Sequence, residues 1–257
     1  VLLVEAFLMW SDMDGATLKS GFLGEHETRH GFGRHFTRQV VSYIEKCHME
    51  NGGYFFARIP PSSRLNTYFA VKSPSLLGVK RNYPEAIASS FLDNVGESTL
   101  GGITGIFAAV ELLNELGRMT DEIRNYVQPR IMSRQNKAGG FGALENIDIE
   151  VPSELENTYR AVRVVKTIGA EFDERRIAGL VLGELNIDGG YGREGRSTLA
   201  STLYATEIHK LLGNDTEKPA ATRDYLRKRK YKNFVFSCGS WVRITIAVFP
   251  SNHRREI

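Results

Sequence analysis

From Thr37 onward the apolar residues recur mostly at steps of three and four rather than two. That spacing lays one stripe along an amphipathic helix. TRQVVSYIEKCHME (37–50), PEAIASSFLDNV (84–95), TDEIRNYVQPRIMSRQ (120–135), DERRIAGLVLGEL (173–185) and TRDYLRKRKY (222–231) all carry it. Asp121 and Glu122, and Asp173 and Glu174, stand where a helix N-terminus favours negative charge. The one β-branched run, VRITIAV at 242–248, is ambiguous between helix and strand.

A second set of helices alternates with the first, and its members resemble one another. NGGYFFARIPPSSRLNTYFAVKSPSLLG (51–78), STLGGITGIFAAVELLNELG (98–117), AGGFGALENIDIEVPSELENTYRAVRVVKTIG (138–169) and DGGYGREGRSTLASTLYATEIHKLLG (188–213) share one plan. Each has a Gly-Gly turn, most often followed by an aromatic residue, then a helix closed by a small apolar residue and Gly. The closing glycines, Gly78, Gly117, Gly169 and Gly213, fit C′ positions, where a left-handed residue ends a helix. They recur at roughly 40–50 residue intervals, the range of helical-pair repeats. A fifth, degraded copy starts at Asn233. The expected architecture is therefore all-α: about five or six helix pairs in series. One pair cannot bury its apolar face alone, so the pairs must stack into an open solenoid or a closed ring.

At these residues the chain resembles the prenyltransferase/squalene-cyclase repeat family, which holds protein prenyltransferase β subunits and class II terpene cyclases. The resemblance rests on VSYIEKCHMENGGYF…LNTYFAVKSPSLLG, echoed by GGFG…LENTYRAVRVVKTIG and GGYG…STLYATEIHKLLG. It is clear over 34–213 and loose over 1–33 and 233–257, within one domain spanning 1–257. It implies an α/α toroid, an inner ring of helices inside an outer ring, around an apolar cavity that takes an isoprenoid chain. The helices after the Gly-Gly turns would be inner, with their N-termini at one mouth, where free N–H groups favour a diphosphate. Because one fold hosts unlike reactions, the repeat speaks to fold more than to chemistry.

The resemblance also tells where chemistry would sit. Prenyltransferase β subunits hold zinc through Asp, Cys and His near inner-helix starts. Where an Asp-x-Cys would stand, this chain has Leu65/Thr67, Glu156/Thr158 and Ala200/Thr202. Leu and Ala cannot bind zinc and Thr binds it poorly. These residues do not support the family zinc site, thiol prenylation or the family's α-subunit partner. Magnesium stays open as a cofactor. Class II cyclases carry an acidic D-x-D-D-T that protonates an alkene; the matching place reads Glu154-Leu155-Glu156-Asn157-Thr158. Glu154 and Glu156 are thus the catalytic candidates, against a plain reading as first-turn acids. Arg64, Arg193 and Arg196 are candidates to clamp a diphosphate, against a reading as solvated loop charges. Tyr68, Tyr159 and Tyr204, with Phe69 and Phe107, are candidates to wall a prenyl site, against plain core packing.

Composition narrows the field. The 257 residues carry 33 basic and 30 acidic side chains, too balanced to imply nucleic acid. Two cysteines, Cys47 and Cys238, far apart and in no CxxC, point to a reducing, cytoplasmic setting. The opening VLLVEAFLMW reads as a packing helix, with a removed signal as the alternative, and no run is long enough to span a bilayer. The run RKRKYK (227–232) reads as a solvated face, or else as a contact for anionic lipid or a partner. A protein partner or a homo-oligomer is left open. His26-Glu27-Thr28-Arg29-His30 spells H-E-x-x-H, the zinc-peptidase pattern. Yet Gly24, Gly31 and Gly33 bracket it, and Glu25, Thr28 and Arg29 leave it no apolar face. A polar loop is the better reading.

The leading expectation is an isoprenoid-binding enzyme acting on a prenyl diphosphate or polyprenyl lipid. The competing one is a non-catalytic toroid that kept the ring and lost the site.

Overall fold

The computed structural model describes residues 34–50, 52–55, 64–76, 78–79, 81–83, 86–88, 102–143, 154–213 and 220–228. The opening apolar segment, the His26–His30 motif, the VRITIAV run and the fifth repeat copy lie outside them.

Among the described residues the regular structure is helical, with no strand beyond isolated bridges. In order come α1 (Arg34–Lys46), α2 (Arg64–Leu76), α3 (Ile103–Glu115), α4 (Asp121–Met132), α5 (Leu155–Ile168), α6 (Glu174–Gly183), α7 (Leu199–Leu211) and α8 (Ala220–Lys228), with a short 3-10 turn at Arg193–Gly195. None of the described helices is long and apolar enough to cross a membrane.

The helices sort into two rows. α2, α3, α5 and α7 pack side by side in series, while α1 lies on α2, α4 on α3 and α5, and α6 on α7. The first row takes most of the core. α5 alone buries Leu155, Tyr159, Ala161, Val162, Val164, Val165 and Ile168. The second row buries a single stripe each: Ile123, Val127 and Ile131 on α4, Ile177 and Val181 on α6. The first row is called inner and the second outer below.

Local chemistry sets the ends of these helices. Thr120 and Asp173 cap α4 and α6, their side-chain oxygens accepting from the N–H groups of Ile123 and Arg176. Such a cap satisfies one of the four N–H groups that a helix start leaves without an intrahelical partner. At the other end, α2, α3 and α5 stop in the same motif. Gly78, Gly117 and Gly169 take φ of +73, +67 and +72°, and the next residue's N–H reaches back to the carbonyl five places earlier. Gly avoids the Cβ penalty of that conformation, which is why it recurs there.

The link from outer to inner helix is also repeated. His48 bridges Tyr54, Gln135 bridges Phe141 and Leu185 bridges Tyr191, each pair six residues apart across a Gly-Gly turn. The first Gly of each turn, Gly52, Gly139 and Gly189, sits at φ +85, +96 and +85°. Room is short as well: a Cβ on Gly189 would lie 2.2 Å from the Ala221 carbonyl oxygen of α8.

Candidate functional site

The inner helices run parallel. Tyr68, Phe107 and Tyr159 each stand four places after their helix begins, and Tyr204 stands five. Their rings touch in sequence across the four helices, with centroids 5.4, 6.3 and 5.6 Å apart. Antiparallel neighbours would bring the start of one helix against the end of the next. The N-termini of the inner row therefore share one end. All four rings are buried, and Phe69 extends the row with a centroid 5.1 Å from Tyr68. Tilted and edge-on ring pairs at these distances add about 0.5–1.5 kcal/mol each beyond the area they bury. The structure thus brings Tyr68, Tyr159 and Tyr204 together, with Phe107 as the link.

The other candidates lie toward the shared N-terminal end. Arg64 is the first residue of α2 and is half-buried. Arg196 is exposed, two residues before the Thr198 cap of α7. Arg193, also exposed, has its Nε 3.6 Å from Glu184 Oε1. Glu154 is the N-cap residue of α5, and its exposed carboxylate accepts from Asn157 Nδ2 at 2.9 Å. Glu156 pairs with Arg160 at 2.6 Å, and Arg160 also donates to Thr104 Oγ1 on α3 at 2.6 Å. Alkene protonation calls for a carboxylic acid in apolar surroundings. Glu154 meets solvent and an amide, Glu156 a guanidinium; either would have to leave its present partner to serve as that acid.

The threonines at the family's metal-ligand positions have a different task. Thr67, Thr158 and Thr202 are completely or almost completely buried. Their hydroxyl oxygens accept from the N–H of Tyr54, Phe141 and Tyr191 at 2.9, 3.1 and 3.0 Å. Each of these three threonines thus satisfies the backbone of the aromatic residue in the turn before its helix. A buried N–H left unpaired would cost about 1–3 kcal/mol. Among the described residues no three His, Cys, Asp or Glu side chains are grouped to hold a metal ion, and Cys47 is a buried free thiol.

One set of residues was not singled out from the sequence. Lys72, Glu111, Arg163 and Glu207 each stand eight places after the start of their inner helix, so charge alternates along the row. Arg163 pairs with Glu111 at 2.5 Å, and Thr167 donates to the other oxygen of Glu111 at 2.9 Å. Lys72 meets Glu115 at 2.7 Å. Glu111 and Glu207 are buried, at 5 and 2 % exposure. Burial alone would lower the Arg163 pKa; Tyr159, Glu111 and Tyr68 together more than reverse it, so its charge is held firmly. Burial also pushes up the phenol pKa of Tyr54, Tyr83 and Tyr191, that of Tyr83 to about 12. Counting from the helix starts would have exposed the charged tier; its pairings join residues about 50 places apart in the chain.

No family model matches this chain, and no curated protein matches it.

Proposed function

We propose that the protein is an isoprenoid-binding enzyme built as a toroid, with a prenyl diphosphate or polyprenyl lipid held against the inner helices. The observation that carries this reading is the unbroken row Tyr68–Phe107–Tyr159–Tyr204, one ring from each of four parallel helices. π-Faces suit the alkenes of an isoprenoid and stabilise a carbocation formed from it. The diphosphate would lie at the N-terminal end, where helix N–H groups point outward and Arg64, Arg193 and Arg196 supply cations. In this reading the two rows continue into a closed or nearly closed α/α ring, as the repeat resemblance implies. Two chemistries fit such a ligand. Transfer to an acceptor needs the arginines to help the diphosphate leave; cyclisation needs Glu154 or Glu156 as the acid. Magnesium is the metal to try with the diphosphate, and the cytoplasm, with peripheral membrane contact, is the compartment that suits it.

The test is a thermal-shift titration with geranyl, farnesyl and geranylgeranyl diphosphate, with and without magnesium and zinc. A ligand that binds only the folded state stabilises it by about 2.7 kcal/mol at a hundred times Kd. A rise in Tm without metal is the expected result, and Arg196→Ala should weaken it. No rise under any condition overturns the reading.

A second reading, a toroid that binds a partner without catalysis, is favoured by one observation. Thr67, Thr158 and Thr202 are committed to the turns, and Glu156 to Arg160. In that case the Arg196→Ala change leaves partner binding untouched.

A further inference from the structure

The aromatic row has a floor. Four residues further along α2, α3 and α5, and three along α7, about 5–6 Å deeper, lies the tier of Lys72, Glu111, Arg163 and Glu207. Spacings of four and three keep both tiers on one side of a helix. The ionic groups there are engaged with protein partners: Arg163 and Thr167 with Glu111, Lys72 with Glu115. Such a pair offers a hydrocarbon chain nothing. A tail pressed against it would strip the remaining water from Arg163, which keeps 18 % of its side chain exposed, and return no hydrogen bond. Replacing a buried ion pair by apolar side chains of the same volume is often neutral or stabilising, so stability alone gives little reason for the tier.

We infer that this charged tier sets the depth of the prenyl site, so that the ligand is a short-chain prenyl diphosphate whose apolar tail runs past the aromatic row and stops above the tier. The inference rests on the isoprenoid reading above and deepens it. From the first inner-helix residue to the charged tier is about 12 Å along the helix axis. A geranyl tail uses that depth; a geranylgeranyl tail must fold back or cross the tier. Glu111 and Arg163 are then specificity-determining residues, since they meet at the centre of the row between α3 and α5.

The experiment compares geranyl, farnesyl and geranylgeranyl diphosphate by thermal shift and calorimetry, on the full chain and on the double variant Glu111→Gln/Arg163→Met. The wild type should bind geranyl diphosphate about tenfold or more tighter than geranylgeranyl diphosphate, a discrimination within reach of a pocket that opposes polar groups to an apolar chain. The double variant should erase or reverse that order. Wild-type protein that binds the longer chain better overturns the inference and leaves the isoprenoid reading standing. So does a folded double variant that keeps the wild-type order. If none of the three diphosphates binds, the isoprenoid reading falls and the inference falls with it. Should the double variant fail to fold, the wild-type order alone decides.

Discussion

Helices α4 and α5 lie against each other yet meet burial in opposite ways. α4 hides one stripe, Ile123, Val127 and Ile131, and keeps Asp121 and Glu122 in water. It is an ordinary amphipathic helix, capped by Thr120. α5 is enclosed by α3, α4 and α7, and ten of its fourteen residues are buried, among them Asn157, Thr158 and Arg160. A helix enclosed on three sides cannot leave its polar groups to solvent. Its charges are paired instead: Glu156 with Arg160, Arg163 with Glu111. Position in the two rows, not composition, decides what a charge does. The outer row can leave its charge in water; the inner row must neutralise it within the protein.

The sharpest way to break that contrast is to remove one member of an inner pair. Arg163→Met leaves Glu111 buried without its cation and should cost about 3 kcal/mol of unfolding free energy in urea. Adding Glu111→Leu should recover most of the loss, because both charges then go. The outer counterpart, Asp121→Asn, removes only the exposed carboxylate of a contact at 3.6 Å to Arg124 and should cost little. Equal losses from the inner and outer changes would sink the comparison.

A smaller effect separates the two ways of satisfying a backbone N–H. Thr158→Val keeps the shape but leaves the Phe141 N–H buried and unpaired, at about 1–3 kcal/mol. Thr120→Ala removes an outer-row cap whose N–H can turn to water, at about 1 kcal/mol. Denaturation of the two variants side by side checks the order; the reverse order would mean that the turn lock is not structural.

The smallest effect is a pH dependence. The half-buried Tyr83 hydroxyl donates to the Val71 carbonyl at 3.0 Å, and burial raises its pKa from 10.0 to about 12. In the unfolded chain the phenol loses its proton near its ordinary value; in the folded protein it holds on. The stability contributed is present in full below pH 10.0 and is lost as pH rises toward about 12. Tyr83→Phe should flatten stability over that window, and an unchanged slope in the variant would assign the alkaline loss to other groups.

Much of this plan could be read from residues close together in the chain. The helix stripes, the closing glycines and the Gly-Gly-aromatic turns are local, and the structure places Gly78, Gly117 and Gly169 in the left-handed conformation their positions called for. The aromatic residues at inner positions could be named as well, since a repeat puts them in register. The tasks of the threonines could not. Thr158 faces Phe141 across 17 residues, and only the packed turn shows that its hydroxyl is spent on a backbone N–H. From the sequence Glu156 reads first as a helix-start charge and second as an acid; only the structure shows Arg160 beside it.

The sequence by itself determined an all-α chain of serial helix pairs, because periodicity and helix-ending signals act within a few residues. Tertiary structure decided which helices form the inner row, that they run parallel, and that four rings touch across them. It also decided that Glu111 belongs to Arg163, 52 residues away. Those outcomes depend on which faces meet in space, and a charge or a ring carries no mark in the chain of the partner that burial will force upon it.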